Sequence, residues 1–210
     1  MSQYIKTLTI AGSDSGGGAG IQADIKTFSA LGCYGMSVIT ALTAQNTLGV
    51  SAIYAPPAEF VAAQIDAIYA DMGSDAVKIG MVFSAETAAV IAAKMQQYAV
   101  PRIVLDPVMV ATSGDALLSP GAVDTLVKAL FPLATVITPN LAEATALTGL
   151  PIRNRPEMEQ ALRALAEMGA AAVLLKGGHL EAAEATELLY EHATGEITPF
   201  SAPRIDTPHT

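Results

Sequence analysis

Chemistry-bearing residues stand at the ends of apolar runs in this sequence. Asp106 closes "RIVLD" just before Pro107. A carboxylate at the end of a buried strand needs a partner, and Mg²⁺ or bound water would serve. Lys176 closes "VLLK" ahead of two glycines. Its charge must emerge at the strand tip, where a phosphate could meet it. Gln45, in "TAQN", follows another apolar run. A carboxamide offers an acceptor and a donor side by side, which is how Gln reads adenine. Asn140 and Glu143 stand three apart in "PNLAE", the spacing of a reciprocal helix N-cap.

The densest glycine segment is "AGSDSGGGAG", residues 11–20, with an apolar run before it and a helical pattern after it. Strand, glycine turn and helix is a common way to hold an anion. The segment is not a Walker A loop, because no Gly-Lys-Ser/Thr closes it, and it lacks the glycine spacing and downstream acid of a dinucleotide fingerprint. A ligand-contacting turn and a purely structural one both remain open on these residues. The helix after it carries Gln22 and Asp24.

These residues must be positioned by the surrounding elements. Strands are expected at 7–12, 36–44, 51–55, 76–82, 102–108, 135–139 and 171–177. Most are bare hydrophobic runs, as in strands buried on both faces. Between them lie helical patterns. In "PAEFVAAQIDAIYADM" the residues Val61, Ile65, Ile68 and Met72 form one stripe; in "PEMEQALRALAEMG" Met158, Leu162, Leu165 and Met168 do, ended by Gly169. "SPGAVDTLVKALF" reads as a helix with Ser119 as N-cap and Pro120 at its first position. Alternation of strand and helix implies βαβ units and a mostly parallel sheet. Ligands then sit at the carboxyl ends of the strands, where "GSD", "AQN", "IGM", "DPVM", "PNLAE" and "KGGH" all fall.

The bulk composition limits the function classes. The chain has 210 residues, 51% hydrophobic and 15% charged, with a net charge of −9. That is globular, and one domain spanning 1–210 is expected. The negative charge argues against nucleic acid as a partner. No apolar stretch reaches a membrane span, so no membrane is expected. The single cysteine, Cys33, excludes an internal disulfide and fits a reducing, cytoplasmic setting; its simplest role is small apolar packing.

"TIAGSDSGGGAGIQADIKTFSALGCYGMSVITALTAQNTLGV", followed in order by "VKIGM", "VLDPVM", "SGDALLSP", "ITPNLAEA" and "VLLKGGH", resembles hydroxymethylpyrimidine/phosphomethylpyrimidine kinase, a thiamin-pathway enzyme of the ribokinase superfamily. The resemblance covers essentially the whole chain. It implies a three-layer α/β/α sandwich, and ATP- and Mg²⁺-dependent phosphorylation of a hydroxymethylpyrimidine and then of its monophosphate. It also implies a homodimer. By resemblance, Gly12 borders the ring, whose approach a missing Cβ allows, and Gln45 and Asp24 make its polar contacts. Met81 and Val108 supply apolar walls, although methionine is also a common core filler. Lys176, Asn140 and Glu143 lie near the nucleotide phosphates, and Asp106 and Glu143 near Mg²⁺. His179 belongs to the matching string but is a loop histidine; His192, in the hairpin-like "YEHATGE", has no functional case.

The resemblance also implies a Gly-Thr-Gly-Cys turn, which supplies an anion hole and the catalytic base. No such turn occurs up to Thr210. The catalytic residue therefore stays unassigned, and the chain is expected to be C-terminally incomplete relative to the family, with apolar sheet surface left bare. Two rivals remain: a pyridoxine/pyridoxal kinase, which shares the sheet, the Asn-x-x-Glu and the lysine, and a pyrimidine-binding domain without catalysis.

Overall fold

The structure is a computed structural model, and it describes residues 4–109, 119, 121–178 and 184–205. Its centre is a nine-stranded sheet in the order β3-β2-β1-β4-β5-β6-β7-β8-β9. The strands are β1 (Lys6–Asp14), β2 (Tyr34–Asn46), β3 (Gly49–Tyr54), β4 (Ala76–Ile79), β5 (Ile103–Leu105), β6 (Val136–Ile137), β7 (Ala172–Lys176), β8 (Glu184–Glu191) and β9 (Glu196–Pro203). The pairs from β2 through β7 are parallel, and β3, β8 and β9 attach antiparallel. The expected mostly parallel sheet is present.

Helices α1 (Gly20–Ala30), α2 (Ala58–Tyr69), α3 (Ala85–Gln97), α4 (Ala122–Thr125), α5 (Leu141–Thr148) and α6 (Arg155–Ala166) complete the fold. Register shows which face each covers. Val38, Ile10, Ile79, Leu105, Ile137 and Val173 are partners in turn across six strands, and all are fully buried. They form one core with Val61 and Ile65 of α2, Ile91 of α3 and Met158, Leu162 and Leu165 of α6; the α2 and α6 residues belong to the stripes expected from helical spacing, except that Met72 falls beyond the end of α2 and is exposed. The alternate residues point the other way. There Thr9 bonds Asp24 of α1, so helices lie on both sides and the sheet is the middle layer of three.

The second face is unevenly covered. α1 packs on β1 and β2. Farther along, Val104, Val136 and Leu174 stay partly exposed, and a groove of about 740 Å³ opens beside Val136, Ala172, Leu174, Leu189 and Phe200.

Some local expectations need correction. The helix read from Ser119 begins at Ala122, with Gly121 at its cap in the left-handed region (φ 81°) and no side-chain cap. Ser119 lies two residues earlier: its N–H donates to the Phe83 carbonyl and its carbonyl accepts from Ala122. Pro120 lies outside the described residues, as does "SGDALL". α4 runs on as a π-helical turn, Leu126–Leu130, and a 3₁₀ turn, Phe131–Leu133. Strands β8 and β9 flank the hairpin-like segment at His192 but were not anticipated as strands. Cys33 is partly buried. Among the described residues no helix is long and apolar enough to cross a membrane.

Candidate active site

β1 pairs with β2 on one side and β4 on the other, so the strand order reverses there. Such a switch point opens a crevice at the carboxyl ends of the strands. Gly12 and Met81 pack together there: a Cβ on Gly12 would stand 3.0 Å from Met81 Sδ. Met81 and Ala41 form an apolar cluster with Val50, Ile53, Phe83 and Val108, separate from the main core. Two of the expected ring walls, Met81 and Val108, therefore come together beside Gly12.

Two backbone devices fix this cluster. The β1–β2 register slips between Ala11 and Gly12, leaving Thr40 as an extra residue in β2, and such bulges re-aim side chains. Thr40 is fully buried, and its hydroxyl donates to the Met81 carbonyl at 2.5 Å. Just beyond Met81, Phe83 adopts φ 68°. A bulky residue there is strained and must be held by its surroundings.

Gln45 lies at the end of β2, opposite Val50 of the apolar cluster. Its Oε1 accepts from Thr43 Oγ1 at 3.2 Å. Its backbone is tied to the glycine turn. Ser15 Oγ donates to the Gln45 carbonyl at 2.6 Å and accepts from the Gln45 N–H at 2.9 Å.

The turn itself is filled by its own side chain. Asp14, only 5% exposed, accepts from the N–H groups of Gly16, Gly18 and Ala19 at 2.8–2.9 Å. The Gly17 N–H donates to the Asp14 carbonyl. These donors, which could have cradled a phosphate, hold an internal carboxylate instead. Gln22 closes the frame by accepting from the Asp14 N–H and donating to Ser13 Oγ. Sequence reasoning missed Asp14, Ser15 and Thr40. An aspartate leading into a glycine run was the available signal, since Asp readily bonds the backbone just ahead of it.

Asp24 does not join the Gly12–Met81 contact. Its Oδ2 takes the Lys78 ammonium at 2.9 Å and the Thr9 hydroxyl at 2.6 Å. Only Oδ1 is left for a ligand.

The remaining site residues meet at the tips of β5, β6 and β7. Lys176 Nζ lies 3.0 Å from Asp106 Oδ1, and the Lys176 N–H donates to the Pro139 carbonyl. Asn140 caps α5 reciprocally: its side chain accepts from the Glu143 N–H at 2.9 Å, and Glu143 Oε2 accepts from the Asn140 N–H at 2.7 Å. Glu143 is buried. Burial pushes its carboxyl above the ordinary range, and the Asp106 carboxylate adds to this; the Asn140 N–H and the Lys176 ammonium pull it down. One cation thus faces two carboxylates. Among the described residues no group of three or more His, Cys, Asp or Glu could cage a metal. Two carboxylate oxygen donors without a cage suit Mg²⁺, which usually takes its other ligands from phosphates and water. His179 lies outside the described residues. His192 sits in the β8–β9 turn, remote in sequence and strand position from these tips.

A family model described as phosphomethylpyrimidine kinase matches residues 14–210. A hydroxymethylpyrimidine/phosphomethylpyrimidine kinase of Rhizobium meliloti is 57% identical over 201 residues, 95% of this chain and 74% of that protein. The crystal structure of a phosphomethylpyrimidine kinase from Clostridium difficile superposes with a TM-score of 0.85 at 48% identity, covering 93% of this chain and 84% of that one. A pyridoxal kinase from Staphylococcus aureus, in complex with AMP-PCP and pyridoxal, gives a TM-score of 0.87 at 32% identity, covering 98% and 74%. Fold and sequence identity converge on one assignment: this chain belongs to the phosphomethylpyrimidine kinase family.

Proposed function

We propose that the chain transfers the γ-phosphoryl group of ATP to the hydroxymethyl oxygen of 4-amino-5-hydroxymethyl-2-methylpyrimidine, and then phosphorylates the monophosphate, as a cytoplasmic step of thiamin biosynthesis. One observation carries this reading. The apolar crevice of Gly12, Met81 and Val108, with Gln45 beside it, opens on the same strand-end rim as Lys176, Asp106 and Glu143. A flat ring would lie against the surface that Gly12 and Met81 form together, and the Gln45 carboxamide complements the ring nitrogen and exocyclic amine. Asp24 adds a contact through Oδ1. Lys176 and Asn140 hold nucleotide phosphates and stabilise charge on the transferring group. Asp106 and Glu143 would hold Mg²⁺, which supplies charge neutralisation between the phosphates. The working form is a homodimer, supported by the exposed apolar side chains Leu42, Leu48 and Tyr54 on the β2–β3 hairpin.

The likeness to the S. aureus pyridoxal kinase favours a second reading, phosphorylation of pyridoxal. ADP release measured with each alcohol separates the two. The hydroxymethylpyrimidine is expected to give the higher kcat/KM, and a higher value for pyridoxal would overturn the first reading. A melting scan covers the binding-only alternative. Ligand at 100 times its Kd adds about 2.7 kcal/mol of stability, and such stabilisation without any ADP formed would mark a binding module.

A further inference from the structure

We propose that Ser15 is a positioning residue for Gln45, and that the Asp14-filled glycine turn exists to hold Ser15 in place. This rests on the reading of Gln45 as the residue that recognises the ring. The backbone N–H and C=O of one strand residue point to the same side. In Gln45 both are taken by the single hydroxyl of Ser15. Backbone pairing between β1 and β2 ends at Asp14 and Thr43, so a side chain continues the ladder where strand β1 stops. On the other side, the β2–β3 register slips between Ala44 and Gln45, which weakens the constraint there. Ser15 is thus the main tether of the β2 tip toward β1.

Ser15 can serve only if the turn carrying it is fixed. Asp14 does this with three charge-assisted bonds to Gly16, Gly18 and Ala19, and Lys26 Nζ adds a bond to the Gly17 carbonyl. The turn also packs directly on the β2 tip. A Cβ on Gly16 would lie 3.2 Å from Asp14 Oδ1, 3.4 Å from Asn46 Cα and 3.5 Å from the Gln45 carbonyl oxygen. Glycine is needed there for close backbone approach. Thr43 Oγ1 completes the stitching by donating to the Ser13 carbonyl at 2.8 Å.

The test is calorimetric titration of the full chain with the hydroxymethylpyrimidine, and separately with ATP. Ser15→Ala should raise the pyrimidine Kd about tenfold, the size of one or two lost hydrogen bonds, with ATP affinity unchanged. Ser15→Thr, which keeps the hydroxyl, should restore it. Gln45→Ala should weaken the pyrimidine as well. The double variant Ser15→Ala/Gln45→Ala should be no weaker than Gln45→Ala alone, because the tether then has nothing to position. Additive losses, or an unchanged Kd for Ser15→Ala beside a weakened Gln45→Ala, overturn the positioning role and leave ring recognition standing. A Gln45→Ala variant that binds like the parent overturns both.

Discussion

Two lysine–aspartate pairs in this molecule are alike in distance but differ in their surroundings. Lys78 and Asp24 meet at 2.9 Å with side chains 23% and 16% exposed, and Lys176 and Asp106 meet at 3.0 Å with 36% and 25%. The difference lies in what surrounds each. Lys78 lies within β4, between the buried Val77 and Ile79, and reaches α1; Thr9 closes on the same Asp24 oxygen. One positive charge meets one negative charge, and the pair joins helix to sheet. Lys176 ends β7 beside a second, buried carboxylate whose proton affinity is raised. There one ammonium stands near two carboxylates, whereas Lys78 meets one. Distance alone does not distinguish the two pairs; their surroundings do.

The contrast can be broken by experiment, and the largest effect belongs to Lys176. Lys176→Met should lower kcat/KM for phosphoryl transfer by roughly 10²–10³, the scale of losing one group that stabilises transition-state charge. A variant with near-parent turnover would remove Lys176 from the phosphate site. Next in size, Glu143→Gln should raise the Mg²⁺ concentration needed for half-maximal rate by roughly 10–100-fold, as when support for a metal site is lost. An unchanged Mg²⁺ titration would reduce Glu143 to a helix cap.

Lys78→Met tests the other pair, and its effect should appear in stability. Removing one partner of a buried pair costs 3–5 kcal/mol, but this pair is partly exposed, so about 1–2 kcal/mol is expected. A chain of this size should then melt about 2–8 °C lower, with ATP affinity retained. Loss of ATP binding in a folded Lys78→Met variant would erase the distinction between the pairs.

A third pair sharpens the comparison at its weak end. Asp66, on α2, accepts from Lys94 and from the Tyr98 hydroxyl, both at 2.7 Å. The Lys94 bond, then the Tyr98 bond, hold its carboxyl below the ordinary value of 3.8. A depressed carboxylate stabilises the fold above its unfolded value and loses that contribution as pH falls through the folded one. Asp66→Asn should therefore lower stability slightly at neutral pH and flatten the profile as pH falls below about 4. An acid limb as steep as the parent's would show the pair to be inert.

The legibility of this fold in its sequence follows from what each apolar residue is for. Strands β4 and β5 were expected to run to 82 and 108 but end at Ile79 and Leu105. The apolar residues beyond their ends include Met81 and Val108, which line the crevice rather than extend a ladder. Hydrophobicity serving a site is indistinguishable in sequence from hydrophobicity serving a sheet. Strands β8 and β9 were obscured for another reason. "EATELLYE" buries only Leu188 and Tyr190, and its acids give no clean alternation. Asp106 and Lys176 could be singled out because a charge at the end of a buried run demands explanation, and Asn140 and Glu143 because of their capping spacing. Their assembly into one cluster depends on β5, β6 and β7 being neighbours, which is topology rather than pattern. Ser15 and Thr40 gave no such warning, since a lone hydroxyl carries no charge to betray it.

The self-filled turn after β1 has a consequence for what this rim can offer an anion. Because Asp14 occupies the donors of its own loop, the loop has three fewer N–H groups to offer an incoming anion. Glycine density after a first strand is here the mark of a carboxylate folded in on its own backbone.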